Sequence, residues 1–215
     1  MQTKARVIEI IKLLKKEYPD AKMALNFGSN FQLLVAVILS AQCTDERVNK
    51  VTPALFAKYP VVEDFAGCKI EELERLIFST GFYKNKAKNI LGAAQMIVRE
   101  FGGEVPGEML DLLKLPGVAR KTANVVLGTA FGKNEGVVVD THVARLCGLL
   151  GLVEMKFSLQ KNAIKIEDAL VKLLPRKDWS LFSHLLILHG RKICVARRPK
   201  CKLCVLNKIC PSARV

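Results

Sequence analysis

The sequence lacks an apolar run that could cross a membrane. Its longest one, from Phe31 to Leu39, is interrupted by Gln32 and is far shorter than the ~20 residues of a membrane-spanning helix. The first apolar residues are also unlike a signal peptide, because Glu9 and Lys12 are interspersed with them at helical spacing. We therefore expect an intracellular protein with no membrane partner.

Acidic residues are scarce relative to basic ones. The 215 residues include 34 Lys and Arg but only 20 Asp and Glu, which gives a formal net charge of +14. No acid follows Asp178, whereas the C-terminal segment is rich in bases: Arg191, Lys192, Arg197, Arg198, Lys200, Lys202, Lys208 and Arg214. Half of the residues are hydrophobic, so the charge belongs to a folded protein rather than to a disordered polycation. This charge favours a nucleic acid as partner, the alternative being a generally basic solvated surface.

Strand signals are nearly absent as well. Only Val137–Val139 resembles a strand, and three residues do not make a sheet. The periodicity of apolar residues instead predicts an all-α fold, with helices over residues 4–17, 30–41, 45–57, 70–78, 84–100, 108–114, 120–131, 141–150, 160–173 and 179–189. No low-complexity linker divides the chain, whose length suits one large domain or two small interwoven ones.

A weak internal repeat relates two of these helix pairs. The segment from Leu73 to Ala87 parallels the segment from Leu110 to Ala123. Each contains a short helix, a turn with glycine and the basic start of a second helix. The repeat predicts two similar helix starts that could face one ligand.

The second of these turns has the composition of a phosphate-binding hairpin. From Leu115 to Ala123 the sequence is Leu-Pro-Gly-Val-Ala-Arg-Lys-Thr-Ala. Pro116 restricts φ and Gly117 permits a conformation that a side chain would hinder. The N–H groups at the start of the next helix could bind a phosphate without reading base sequence. An ordinary helix–helix turn is the alternative.

Two ionisable residues near this hairpin are candidates for chemistry. Lys121 lies in the first turn of a predicted helix, beside Arg120, where a nucleophilic amine for a Schiff base could be prepared. The ordinary alternative is a surface lysine on a basic helix. Asp140 follows Val137–Val139 and is by itself a good helix N-cap. A carboxylate at the end of an apolar stretch can also act as a base or an electrostatic stabiliser.

Seven cysteines are present, and four of them are close together in the sequence. Their spacing is Cys194-x6-Cys201-x2-Cys204-x5-Cys210. In an intracellular protein this density indicates a metal site rather than disulfides. Four thiolates can bind zinc or an iron–sulfur cluster, and the chemistry of the ligands leaves both open. The other three are interpreted as small buried residues: Cys43, Cys68 and Cys147.

Together these motifs resemble the endonuclease III family of helix-hairpin-helix base-excision DNA glycosylases. The resemblance includes the hairpin at Leu115–Ala123, the Val-Asp-Thr-His segment containing Asp140, and Leu39–Asp45, which is Leu-Ser-Ala-Gln-Cys-Thr-Asp. The cysteine spacing is similar to that of the family's [4Fe-4S] loop. Ala119 departs from the family pattern, which has a second glycine there. The resemblance extends from about Leu25 to Cys210.

The resemblance implies an enzyme of base excision repair that acts on double-stranded DNA with damaged bases or abasic sites. It would be a bifunctional glycosylase and apurinic/apyrimidinic lyase for oxidised pyrimidines. Lys121 would attack C1′ and form an imine that drives β-elimination of the 3′ phosphate, and Asp140 would assist. A monomer in the cytoplasm or nucleoid of a prokaryote is expected.

The resemblance also implies binding residues. A [4Fe-4S] cluster would be held by Cys194, Cys201, Cys204 and Cys210. Gln42 would fill the gap left by an extruded base and Phe82 would be a wedge, with core packing as the alternative for Phe82. The hairpin and the cluster loop would contact the DNA backbone through Gly117, Ala119, Arg120, Arg197, Arg198 and Lys200.

The expected architecture is a two-lobed, all-α helix-hairpin-helix glycosylase fold with the DNA cleft between the lobes. A six-helix barrel lobe would span residues 22–132 and contain the hairpin at about 108–131. The other lobe would combine residues 1–21 with 133–215 and hold the cluster loop, 194–210. Two alternatives stay open: a monofunctional adenine-type glycosylase, which typically lacks the lysine, and a noncatalytic DNA-binding module with zinc.

Overall fold

A computed structural model describes residues 3–214 of the chain. Within this range the protein is built of helices and loops, and no strand is present. The predicted all-α class is therefore confirmed, and Val137–Val139 forms an extended connection without strand pairing. Among these residues, no helix combines the length and apolarity that crossing a membrane requires.

The described residues form twelve α-helices. The first six are α1 (Thr3–Glu17), α2 (Asn30–Leu39), α3 (Asp45–Lys58), α4 (Val62–Ala66), α5 (Ile70–Ile77) and α6 (Tyr83–Phe101). The others are α7 (Met109–Leu112), α8 (Arg120–Ala130), α9 (Thr141–Leu149), α10 (Met155–Leu159), α11 (Ala163–Leu173) and α12 (Trp179–Lys192). Single 3-10 turns lie at Phe78–Thr80, Arg176–Asp178 and Cys201–Leu203. The periodicity did not predict α4 and α10, which have five residues each.

The chain divides into two compact units. The continuous unit comprises Met23–Glu135 and contains α2 to α8. The split unit combines Met1–Lys22 with Gly136–Val215 and contains α1 and α9 to α12. Each unit has its own apolar core.

The core of the continuous unit surrounds α2. Eight of the ten residues of α2 are buried, including Phe31 and Leu39, as expected for a helix that is apolar on all faces. It packs against α3, α6 and α8. Ser29 caps its N-terminus by accepting a hydrogen bond from the Gln32 N–H at 3.2 Å.

The core of the split unit joins its two chain segments. Helix α1 buries one stripe, Val7, Ile10, Ile11 and Leu14, and packs against α11 and α12. Polar contacts support this packing: Lys15 Nζ lies 2.8 Å from Asp178 Oδ1, and Arg6 donates to the Leu150 carbonyl at 3.2 Å. The N-terminal helix therefore belongs to the unit that holds the C-terminal segment.

Candidate active site and cysteine cavity

Buried residues on both sides of the turn fix the hairpin between α7 and α8 to the core of the continuous unit. Leu115 and Val118 are buried in the continuous unit, and Gly117 has φ +78°, in the left-handed region. A Cβ on Gly117 would lie 2.7 Å from the Cβ of Asn89 in α6. Both the conformation and the close approach require glycine, so this turn is more constrained than an ordinary helix connection.

The hairpin leaves backbone donors available to a ligand. The N–H groups of Gly117 and Ala119 have no acceptor among residues 3–214. Ala119 is the N-cap of α8 and its side chain offers no capping oxygen, so the helix start keeps its positive partial charge. The Ala119 side chain is exposed. Unpaired N–H groups and a helix dipole together form a site suited to a phosphate.

Lys121 lies directly beyond these donors. It is the second residue of α8, and its side chain is exposed, as is that of Arg120. The buried face of α8 consists of other residues: Ala123, Asn124, Val126 and Leu127. The amine therefore lies on the solvent side of a helix whose start can bind a phosphate, where a reacting sugar can reach it.

Asp140 is the N-cap of α9 in the split unit. Its Oδ1 accepts a hydrogen bond from the Val143 N–H at 2.8 Å, so the capping interpretation is correct. Its Oδ2 has no hydrogen-bond partner in the described part of the chain. The cap fixes the orientation of a half-buried carboxylate and leaves one oxygen for another interaction.

Gln42 and Phe82 share an unusual backbone conformation. Their φ angles are +53° and +48°, in the left-handed region that bulky side chains rarely adopt. Both side chains are exposed, and Phe82 retains 63% of its accessible surface. Core packing, the alternative for Phe82, is therefore wrong, and both residues project from the continuous unit at loop tips.

Lys86 carries no motif signal, yet it lies beneath these loops. It is 4% exposed, and its Nζ donates to the carbonyl oxygens of Leu39 at 2.8 Å and Thr80 at 2.9 Å. Its position on the apolar face of α6, one turn before Ile90, is the only signal by which the sequence could have revealed its burial.

The four clustered cysteines line one cavity in the split unit. Its volume is about 410 Å³, and Cys194, Cys201, Cys204 and Cys210 all contribute to its wall. In the described residues, no three His, Cys, Asp or Glu side chains converge on a position for one metal ion. Four thiols around one cavity are the donor set that an iron–sulfur cluster takes, and four thiolates also suit zinc.

Two groups near the cavity lie within hydrogen-bond distance of one cysteine, Cys204. The Leu206 N–H donates to Cys204 Sγ at 3.4 Å, and the His189 Nε2 lies 3.2 Å from the same sulfur. The hydroxyl oxygen of Tyr18 lies 3.1 Å from the His189 Nδ1. A thiolate only accepts, so with Cys204 ionised Nε2 carries the proton and the Tyr18 hydroxyl donates to Nδ1. Burial raises the pKa of Tyr18 to about 12, so it remains a donor at neutral pH.

Burial favours the protonated form of three of these thiols. It raises the pKa of Cys194 to about 11, although Arg145 opposes the shift, and it also raises the pKa of Cys204 and Cys210. Arg145 Nη2 donates to the Cys194 carbonyl at 2.7 Å. Binding of cationic metal centres would displace the thiol protons and offset this burial cost.

The other cysteines and the basic residues are placed as follows. Cys147 is buried as predicted, but Cys43 and Cys68 are only half-buried, at the edge of the continuous core. That part of the prediction is wrong because both thiols lie in loops beyond helix ends rather than on buried helix faces. The basic side chains of the cluster loop are exposed: Arg197, Arg198, Lys200 and Lys202.

Comparison with known proteins identifies the family. Residues 35–176 match the HhH-GPD superfamily of base excision DNA repair proteins. Endonuclease III of Synechocystis is 56% identical over 98% of this chain and 94% of its own length. Endonuclease III of Bacillus subtilis is 46% identical over 90% of this chain and 86% of its own.

A solved structure agrees in fold as well as in sequence. It is an endonuclease III–DNA complex trapped as a covalent intermediate, with a TM-score of 0.90 and 42% identity, and the match covers 99% of this chain and 98% of that one. The resemblance found in the sequence motifs is confirmed by both comparisons. The chain therefore belongs to the HhH-GPD superfamily of base excision DNA repair proteins and, within it, to the endonuclease III family.

Proposed function

We propose that this protein is a bifunctional DNA glycosylase and apurinic/apyrimidinic lyase that removes oxidised pyrimidines from double-stranded DNA. The observation that carries the proposal is the exposed amine of Lys121 next to a hairpin with unpaired N–H groups. A similar endonuclease III can be trapped in covalent linkage to DNA, as an amine nucleophile requires. Because its substrate is chromosomal DNA, the protein acts in the cytoplasm or nucleoid of a prokaryote.

Lys121 performs the covalent step. Its neutral amine attacks C1′, a bond forms between Nζ and C1′, and the damaged base leaves with the electron pair of the glycosidic bond and takes up a proton. The ammonium nitrogen formed at C1′ gives up a proton, and its lone pair then opens the sugar ring: the C=N bond forms as the C1′–O4′ bond breaks, and O4′ takes up a proton. The iminium formed in this way makes the C2′ proton acidic. Loss of that proton, with cleavage of the bond between C3′ and its oxygen, releases the 3′ phosphate by β-elimination.

Asp140 assists through its free oxygen. Its Oδ1 is held by the Val143 N–H, so Oδ2 is the atom available to accept a proton from the amine or to stabilise positive charge on the sugar. The cap restricts the rotation of the carboxylate. An N-cap role and a catalytic role are thus compatible in one residue, because they use different oxygens.

Binding of the duplex depends on backbone contacts and on filling a gap. The N–H groups of Gly117 and Ala119, with Arg120, bind the phosphates beside the lesion. The exposed bases of the cluster loop, Arg197, Arg198 and Lys200, bind phosphates elsewhere. Gln42 and Phe82 occupy the space that an extruded nucleotide leaves in the stack.

The four cysteines fit a [4Fe-4S] cluster. They line one cavity of about 410 Å³ instead of converging on one ion, and a [4Fe-4S] cluster takes four cysteine ligands. The bound cluster supplies a covalent crosslink between loop segments. Its ligands thereby hold the exposed bases of residues 194–210 in place, which would keep phosphate contacts in register.

Borohydride trapping tests the covalent step. Reduction of the imine should link wild-type protein to duplex DNA with an oxidised pyrimidine, and Lys121→Ala should form no adduct. Lys58→Ala is the matched control, because Lys58 is an exposed lysine at the C-terminal end of α3, where it forms an ion pair with Glu72 and lies over the Tyr59 ring. Base release by wild-type protein without an adduct would instead indicate a monofunctional glycosylase.

The cofactor has its own measurement. Protein with a [4Fe-4S] cluster should contain about four iron atoms per chain and absorb broadly in the visible range. A colourless protein that contains stoichiometric zinc would contradict the cluster. Such a preparation that also failed to release bases would favour a noncatalytic DNA-binding module.

A further inference from the structure

The continuous unit contains a buried cation that the proposed chemistry does not use. Lys86 is 4% exposed, and no other Lys or Arg among residues 3–214 is buried. No carboxylate in the described chain pairs with it. Burial lowers the pKa of its ammonium group, which shows the desolvation cost. A buried charge that only neutral groups compensate is expensive to retain.

The ammonium group bridges two chain segments. It donates to the carbonyl of Leu39, the last residue of α2, at 2.8 Å. It also donates to the carbonyl of Thr80, which ends a 3-10 turn, at 2.9 Å. Both carbonyls lie at helix ends, where backbone oxygens lack intrahelical partners and a cation is favourable.

Each of these carbonyls begins a loop with a strained tip. Gln42 follows Leu39 by three residues, and Phe82 follows Thr80 by two. Only three non-glycine residues in the described chain have positive φ, and Gln42 and Phe82 are two of them. The backbone N–H of Lys86 donates to the Phe82 carbonyl at 3.1 Å as the first hydrogen bond of α6, which does not depend on the side chain. The ammonium group therefore contacts both loops at their bases, and the helix that carries it begins at the Phe82 tip.

Left-handed backbone at a bulky residue costs about 1–3 kcal/mol and persists only where the surroundings enforce it. Phe82 gains little from packing, because its ring is 63% exposed. Thr80 is fixed from below by a hydrogen bond from its Oγ1 to the Ile77 carbonyl at 2.8 Å. The two hydrogen bonds of the Lys86 ammonium group connect the bases of both loops and are thus a main restraint on where the Phe82 tip lies relative to the Gln42 tip.

We propose that Lys86 is a positioning residue that holds the Gln42 loop and the Phe82 loop at a fixed separation, so that both tips enter the duplex together. This inference rests on the proposed role of Gln42 and Phe82 in filling the gap left by the extruded base. An alkyl side chain would leave two buried carbonyls without donors, and each loop could then move independently.

Assays on two DNA substrates distinguish a positioning role of Lys86 from a role in folding alone. On duplex DNA with an oxidised pyrimidine, Lys86→Met should lower the single-turnover rate of base excision roughly tenfold to a hundredfold, because small displacements of positioning groups have effects of this size. On a single-stranded oligonucleotide with an abasic site there is no gap to fill. Borohydride trapping there needs only the Lys121 chemistry and should stay within about threefold of wild type.

Lys58→Met is the matched control. It makes the same substitution in the same unit, at an exposed lysine about 20 Å along α3 from the Gln42 loop. We expect wild-type behaviour on both substrates. A variant with Gln42→Ala and Phe82→Ala supplies the second comparison. In that background Lys86→Met should cause little further loss on the duplex, because residues that act through one another are not additive.

Several outcomes would overturn the proposal. They are an undiminished duplex rate in Lys86→Met, an equal loss on both substrates, or a full additional loss in the Gln42→Ala/Phe82→Ala background. If Lys86→Met does not fold, Lys86→Gln, which is one bond shorter, goes through the same assays with the same criteria. Failure of the proposed function is distinguishable, since wild-type protein would then form no adduct, or the double variant would excise bases normally.

Discussion

The continuous unit and the split unit differ in what fills their interiors. Apolar helix packing fills the first: α2 is buried on nearly all sides, and Phe65 and Leu73 are fully buried around it. The split unit has a comparable core on α1 and α12, but its last segment contains only one 3-10 turn, at Cys201–Leu203, and surrounds a cavity. The first interior is an apolar helix core, whereas the second combines an apolar core with a cavity of about 410 Å³ lined by four cysteines.

The polar groups follow the same division. All three histidines, His142, His184 and His189, lie in the split unit, as do five of the seven cysteines. Burial lowers the pKa of each of these histidines. The continuous unit has no histidine. The two units should therefore respond differently to loss of a cofactor, to loss of core volume and to acid.

The largest difference is expected from removal of a cluster ligand. Cys204→Ala removes a proposed ligand together with the hydrogen bonds from Leu206 and His189. We expect the split unit to lose on the order of 5 kcal/mol, since the binding free energy of a structural metal group contributes to folding. Hydrogen exchange should accelerate in α12 but not in α6, and bound iron should be lost.

Cys68→Ala is the control for that experiment. Cys68 is a half-buried thiol of the continuous unit, so the same substitution should leave iron content and exchange in α12 unchanged. Faster exchange in α6 of Cys204→Ala, to the same extent as in α12, would show that the two units depend equally on the cluster and would abolish the comparison.

A cavity in the continuous unit should have the converse effect. Phe65 is fully buried and its ring lies 5.2 Å from that of Phe31. Phe65→Ala should lower the free energy of unfolding by about 4 kcal/mol, through lost burial and an unfilled cavity. Denaturation monitored by exchange in α6 measures the loss. The visible absorption of the cluster should be retained, and bleaching in native buffer would contradict the expectation.

Mild acid should produce the smallest difference. Burial lowers the pKa of His189 from 6.5 to about 4, so the unfolded state binds the proton more tightly than the folded state. Stability contributed by the neutral ring is present above pH 6.5 and declines as the pH falls towards 4. Between pH 7 and 5 this amounts to roughly 2 kcal/mol. Exchange in α12, corrected for intrinsic rates, should increase more than in α6, and equal changes would refute the expectation.

Helix content was largely predictable from the sequence because long amphipathic segments have a clear period. Helix α3, for example, begins at Asp45 as the periodicity predicts, and Thr44 caps it, with its Oγ1 accepting from the Arg47 N–H at 3.2 Å. Helices α4 and α10 were missed, because five residues hold too few turns to show a period. The burial states of Cys43 and Cys68 were missed because they lie in loops, where periodicity says nothing.

The internal repeat shows which features of a helix pair a local sequence pattern can predict and which it cannot. Both turns contain a glycine with positive φ, Gly81 and Gly117, and both following helices start without a side-chain cap. The N-cap residues differ in position and conformation: Phe82 directly follows Gly81 and is left-handed, whereas Ala119 follows Gly117 by two residues and is extended, with φ −90° and ψ 170°. Similar sequences therefore form similar helix pairs with tips of different conformation, because long-range contacts decide the tip.

The sequence by itself determined the helical class, the glycine hairpin and the four clustered cysteines, and it marked Lys121 and Asp140 as candidate catalytic residues. These features depend on residue types at short spacings along the chain, which the sequence gives directly. Only the tertiary structure decided that the cysteines share a cavity, that Gln42 and Phe82 project in left-handed conformations, and that Lys86 lies buried between two carbonyls. Leu39 and Thr80 are distant from each other in the sequence, so only folding brings their carbonyls to one ammonium group.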